Sequence, residues 1–115
     1  MAQRSPFKND NTSVLVMAIL QDGPLHGYGI AREIRQRSSE ALKLGEGTLY
    51  PVLRALEQDD LVESRWETQA SGPARRLYVL TEKGTHELQK RRSEWAVFSA
   101  AVDAVLKGGP NAEPA

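Results

Sequence analysis

The chain turns on Gly47-Thr48-Leu49-Tyr50-Pro51-Val52-Leu53-Arg54-Ala55-Leu56-Glu57. Leu49, Val52, Leu53 and Leu56 recur at helical spacing and form one apolar stripe. The opposite face carries Gly47, Pro51, Arg54 and Gln58, flanked by Thr48, Tyr50 and Ala55, and reads as nearly free of acid. Pro51 has no backbone donor and would clash with a preceding helical turn, so the helix is expected to start just upstream, near Gly47. A first turn with Thr, Tyr and Pro, followed by Arg, suits end-on insertion into the major groove of DNA. The stripe alone fits a plain amphipathic core helix equally well. The flanking segments decide between the two.

Downstream, Asp59-Asp60 ends the helix, and residues 62–68 alternate apolar or small with charged side chains, as a half-buried strand does. Residues 76–80 read as a second strand, and the turn-rich segment 69–75 between them carries Arg75 at a tip. Two strands with a basic tip make a wing. Thr81 is placed to cap a last helix, with Glu82 against its positive end, running to Leu106 or Lys107 before Gly108-Gly109-Pro110. Leu88, Trp95, Phe98, Val102 and Val105 follow heptad-like spacing on it, a stripe longer than a small domain can cover. A second copy of the chain is the expected cover; folding back on its own domain is the alternative.

Upstream, residues 4–11 are polar and are expected to fray, with a backward continuation of the first helix or a reach to a partner chain as alternatives, and Thr12 or Ser13 is placed to cap an apolar helix over 14–20 that stops at Asp22-Gly23-Pro24. Its apolarity on several faces puts it at the centre of the core. A second helix opens at Leu25-His26-Gly27-Tyr28-Gly29 and runs to about Arg37, with Ile30, Ala31 and Ile34 inward. Gly27 and Gly29 would allow close approach at the turn. Residues 38–46 connect it to the central helix, with Leu42 and Leu44 expected to tuck under the core.

At 115 residues the chain is one small domain, and a partner subunit would add to a modest core. It has no cysteine, which excludes a disulfide scaffold and thiol catalysis and fits a reducing cytoplasm. The apolar run at 14–20 is too short to span a bilayer, so no membrane partner is expected. Fifteen basic and 15 acidic side chains give a formal net charge of +0, so any nucleic-acid partner must be argued from placement. Asp59, Asp60, Glu63 and Glu67 cluster just after the central helix, where they would repel DNA least, whereas Arg32, Arg35, Arg37, Lys43, Arg54, Arg75 and Arg76 lie before that cluster or beyond the next turn. Enzymatic and cofactor readings find no support. His26 and His86 lack ligand spacing, Gly27-x-Gly29 has Arg32 where a third glycine would stand, and Asp59-Asp60 has no ligand companions. No cofactor or metal is expected, and His26 reads as a capping or packed histidine.

The order of elements spells a winged helix-turn-helix: mainly α with a two-stranded β wing and a long C-terminal helix. The expected divisions are a flexible arm over 1–11, a DNA-binding domain over 12–81, a dimerisation helix over 82–107 and a disordered tail over 108–115. In that arrangement Thr48, Tyr50, Pro51 and Arg54 face the groove, while Arg75 and Arg76 meet phosphates or a narrow minor groove. A winged helix used for protein interaction or as a ligand carrier is the rival reading. Such a module has no need of cations at both the groove helix and the wing tip, whereas DNA binding needs them together.

His26-Gly27-Tyr28-Gly29-Ile30, Gly47-Thr48-Leu49-Tyr50-Pro51 with Leu53 and Leu56-Glu57, Gly72-Pro73 before Arg75-Arg76-Leu77-Tyr78, and Leu80-Thr81-Glu82-Lys83-Gly84 resemble the PadR family of bacterial transcriptional regulators, over roughly residues 12 to 107. The single C-terminal helix resembles its compact subfamily. The resemblance implies a homodimeric repressor on an inverted-repeat operator in double-stranded DNA, released by a small molecule or a stress signal. It also implies that Trp95, with its copy across a twofold axis and flanked by Phe98 and Ser99, stacks on a planar effector. Trp95 filling the dimer interface as an aromatic anchor is the other reading. Trp66 reads as packing under the wing.

Overall fold

The computed structural model describes residues 9–108. The expected tail thus lies outside the described residues except for Gly108, and so does the arm except for residues 9–11. Seven elements follow in order: α1 (Asn9–Leu20), β1 (Leu25–His26), α2 (Gly27–Arg37), α3 (Glu46–Gln58), β2 (Val62–Glu67), β3 (Arg75–Leu80) and α4 (Glu82–Leu106).

Helix α1 is the hub, touching α2, α3, α4 and β3. Its Val16 and Met17 have no exposed surface, and they pack with Ile30 and Ile34 of α2, Leu49, Val52, Leu53 and Leu56 of α3, Val62, Tyr78 and Leu88. Truncating a fully enclosed member such as Leu53 to alanine would cost about 2–5 kcal/mol. Thr12 and Ser13 do not cap α1: the helix begins at Asn9, and both residues are buried within it. Ser13 Oγ accepts a hydrogen bond from Arg91 Nη1 at 2.7 Å, which ties α1 to α4.

The sheet is antiparallel with order β1-β3-β2. The two-residue β1, expected as the start of α2, adds a third strand by pairing Leu25 with Tyr78 and His26 with Leu77. The wing hairpin runs in continuous register from Val62 opposite Leu80 to Glu67 opposite Arg75.

Helix α3 ends in a glycine-like turn built without glycine. Asp60 adopts φ +61°, its N–H donates to the Glu57 carbonyl at 3.0 Å, and the Leu61 N–H donates to the Leu56 carbonyl at 2.9 Å. These two bonds satisfy terminal carbonyls as a Schellman motif does. The turn aims Leu61 and Val62 back into the core. Thr81 caps α4 as its position predicts, its Oγ1 accepting from the Gly84 N–H at 2.9 Å while donating to the Asp60 carbonyl at 2.7 Å. The Thr81 hydroxyl therefore joins the end of α3 to the start of α4.

Leu88 belongs to this core rather than to a seam between chains, because the first turns of α4 lie against α1. Beyond Arg92, whose Nη1 donates to Gln21 Oε1 at 3.2 Å, α4 leaves the domain. The result is a molecule of 69 × 30 × 28 Å with a Cα radius of gyration of 17.4 Å. A compact chain of this length has a radius of about 13 Å. Leu42 does not tuck under the core: it is exposed, while Leu44 packs against the core.

Candidate nucleic-acid interface

Helix α3 presents its apolar stripe to α1 and the sheet, which leaves Thr48, Tyr50, Pro51 and Arg54 outward and exposed. Its start has no side-chain cap; the Gly45 carbonyl accepts from Thr48 at 3.1 Å and Leu49 at 2.9 Å. Pro51 falls in the second turn and supplies no N–H to the Gly47 carbonyl.

The wing-side edge of α3 forms a groove. Tyr50, Arg54 and Glu57 line one wall, and Arg76 and Tyr78 of β3 line the other. A continuous second groove adds His26, Gly27, Tyr28, Trp66, Ala74 and Arg75 around Tyr50 and Arg76. Tyr50, Arg54, Arg75 and Arg76 are thus brought onto one surface. Thr48 and Pro51 share the exposed side of α3 but do not line either groove.

Arg76 is held by several partners. Its Nη2 lies 3.3 Å from Glu57 Oε2, it also donates to Ser64 Oγ, and its guanidinium stands over the Trp66 ring, 5.3 Å from the centroid. Ser64 Oγ in turn donates to Glu57 Oε2. Glu57 therefore places a carboxylate on a surface whose sequence reads as nearly free of acid. Trp66 does not pack under the wing. It is 65% exposed on the same side of β2 as Ser64, and its ring serves as a platform for Arg76. Tyr28, 70% exposed on α2, carries Arg32 over its ring in the same way at 5.8 Å.

His26 occupies the N-cap position of α2, but its side chain makes no capping hydrogen bond and is packed against the strands instead; among the described residues no cluster of His, Cys, Asp or Glu could hold a metal ion. Its Nδ1 stands 2.9 Å from the Arg76 carbonyl and its Nε2 3.0 Å from Glu67 Oε1, so the ring bridges all three strands. Glu67 consequently lies beside the outer end of the wing opposite Arg75, away from Asp59, Asp60 and Glu63. Burial pushes the Tyr78 hydroxyl above its ordinary value of 10.0, with the charge of Arg76 opposing that shift and Glu57 adding to it.

Sequence reasoning missed Glu57, Ser64, Trp66 and Tyr28 as parts of this surface. Tyr50, Arg54 and Glu57 do fall on one edge of α3 by their spacing of four and three residues. Which edge meets the wing is decided by long-range packing.

On α4, Trp95 and Phe98 stand on one exposed face with ring centroids 5.7 Å apart, tilted by 42°, and Ser99 follows on the same side, half-buried. Val97, Val105 and Leu106 are strongly exposed further along. No helix among the described residues is long and apolar enough to cross a membrane.

The transcriptional regulator PadR-like family matches residues 16–90. Protein X of Lysinibacillus sphaericus is 26% identical over 105 residues, covering 91% of this chain and 96% of that protein. The negative transcriptional regulator PadR of Bacillus subtilis is 22% identical over 92 residues, which are 80% of this chain but only 48% of that protein. The crystal structure of a PadR family transcription regulator from Clostridium difficile superposes with a TM-score of 0.72 at 31% identity, covering 83% of this chain and 97% of that one. The match covers α2, α3 and the wing, the elements that build the surface just described. The chain belongs to the PadR-like family of transcriptional regulators and is a DNA-binding regulator rather than an enzyme.

Proposed function

We propose that the protein acts as a homodimeric repressor on an inverted-repeat operator. Thr48, Tyr50, Pro51 and Arg54 enter the major groove, and Arg75 and Arg76 reach the flanking backbone or minor groove. The observation that carries this reading is the shared surface formed by the outward edge of α3 and the basic wing, with Tyr50, Arg54 and Arg76 lining one groove. A helix in the major groove reads base edges and methyl groups, while wing cations neutralise phosphates and fix the register.

Dimerisation is supported by α4. Its distal half extends beyond the domain and exposes Trp95, Phe98, Val105 and Leu106 along one side, which a second α4 would cover. Two α3 helices related by a twofold axis require an inverted repeat. The negative regulation named for the Bacillus subtilis relative supports the sign of the effect. Trp95, Phe98 and Ser99 would then face their copies across the seam, where a planar effector can stack between the indoles and shift the spacing of the two α3 helices.

Electrophoretic mobility shifts against the DNA upstream of its own gene, with salt and non-specific competitor titrated, test the reading. Retention of a complex under competitor, with protection of two symmetric half-sites, is the expected result. Binding that disappears at modest salt and protects no repeat would contradict it. For the effector, tryptophan quenching by planar cationic dyes should be lost in Trp95→Ala; quenching unchanged by that substitution would count against the pocket.

A further inference from the structure

Glu57 stands at an unfavourable place for a carboxylate, on the edge of α3 that faces the wing and beside Arg54. Its Oε2 receives both Arg76 Nη2, at 3.3 Å, and Ser64 Oγ, and Arg76 reaches the same Ser64 hydroxyl. Three side chains from α3, β2 and β3 thus close a triangle, with Trp66 packed under the guanidinium. Within it the Nη2 end of Arg76 is committed to Glu57 and Ser64, and the carboxylate offsets the charge that a phosphate would meet. Arg75, its neighbour on the opposite face of β3, stands in register with Glu67, whose carboxylate is turned to His26.

We propose that Glu57 is a specificity-determining residue that withholds Arg76 from non-operator DNA. The inference rests on the DNA-binding reading above. The pair is partly exposed, with side-chain exposures of 42% for Arg76 and 29% for Glu57, so it is weak enough to be exchanged for a phosphate. Loosely docked duplex leaves Arg76 on Glu57 and gains one phosphate contact fewer. A duplex that seats α3 deeply brings a phosphate against the wing, and Arg76 transfers from carboxylate to phosphate. The cation then contributes mainly where the fit is good, which raises the ratio of specific to non-specific binding.

The test is fluorescence anisotropy of the full chain with a random-sequence duplex across a salt series, on the wild type, Glu57→Gln, Glu57→Asp, Arg76→Ala and the double variant Glu57→Gln/Arg76→Ala. Glu57→Gln should tighten random-duplex binding about threefold and steepen the slope of log K against log salt by about 0.9, the value of one phosphate contact. Glu57→Asp, which keeps the charge but is one methylene short of Arg76, should show most of the same gain. The gain should vanish when Arg76 is already alanine. Equal gains with and without Arg76 would mean that Glu57 acts only through its charge and would overturn the proposal, as would no gain in a Glu57→Gln variant that melts like the wild type. If Glu57→Gln fails to fold, Glu57→Asp with and without Arg76→Ala decides by the same criterion. A wild type without salt-dependent duplex binding would overturn the DNA-binding reading as well, which separates the two failures.

Discussion

Gly27 and Tyr50 meet so closely that a β-carbon built on Gly27 would stand 2.5 Å from the Tyr50 hydroxyl oxygen. The start of α2 thereby sets the position of a side chain on the groove edge of α3. Gly27→Ala must push the ring aside, and because the clash is with the end of a rotatable side chain, the cost in stability should stay near 1 kcal/mol. Operator affinity should fall about tenfold, as for loss of one good contact, with thermal unfolding little changed. A large loss of melting temperature with unaltered DNA affinity would contradict this link between Gly27 and the groove.

Gly84 is constrained in a different way. A β-carbon there would lie 2.1 Å from the Leu61 carbonyl oxygen and 2.6 Å from Leu80 Cδ1, so backbone rather than a mobile side chain blocks it. Gly84→Ala should destabilise by about 3 kcal/mol, the upper end of ordinary overpacking, despite the better helix propensity of alanine. Urea denaturation gives the value directly; a neutral result would show that α4 can slide away from the end of α3.

Asp60 holds a left-handed backbone conformation at φ +61°. Glycine adopts it without the steric cost of a β-carbon, and no side-chain hydrogen bond of Asp60 enters the turn described above. Asp60→Gly should stabilise the protein by about 0.5–1 kcal/mol, partly offset by the greater freedom of glycine in the unfolded chain. An increase in the urea midpoint with an unchanged slope is the expected observation.

Tyr78 makes a pH prediction. Burial raises its folded-state pKa above 10.0, so as pH climbs the unfolded chain loses this proton first. The Tyr78 contribution is fully present below the ordinary tyrosine value of about 10 and is lost as pH rises through the folded value. Tyr78→Phe should flatten the fall in stability above about pH 10. Urea midpoints for both proteins across that range check it.

The long periodic segments were legible because their signals are local. The stripe of α3, the alternation in β2 and the Thr81 cap each depend on residues a few positions apart. The parts that sequence alone misplaces depend on distant partners. Strand β1 is two residues long and exists only because Leu25 and His26 find Tyr78 and Leu77 across more than fifty positions. Likewise Leu88 fits both a core and a seam by spacing, and the packing of α1 against α4 assigns it to the core. For the candidate interface, residue types mark Tyr50, Arg54 and Arg75, but Glu57 and Trp66 become part of it only once β2 and β3 lie beside α3. The apolar half of α4 was legible for the same reason as α3, since its period is local.

The most direct test of the central claim is selection of bound duplexes from a randomised pool by the full chain, run in parallel with a Tyr50→Ala/Arg54→Ala variant. The expected outcome is an enriched inverted repeat whose half-site centres are about 34 Å apart, or a multiple of it, bound by two chains and lost or altered with the variant. Enrichment of no sequence, of a motif without twofold symmetry, or of the same repeat by wild type and variant alike would show that α3 and the wing do not read DNA as a symmetric pair.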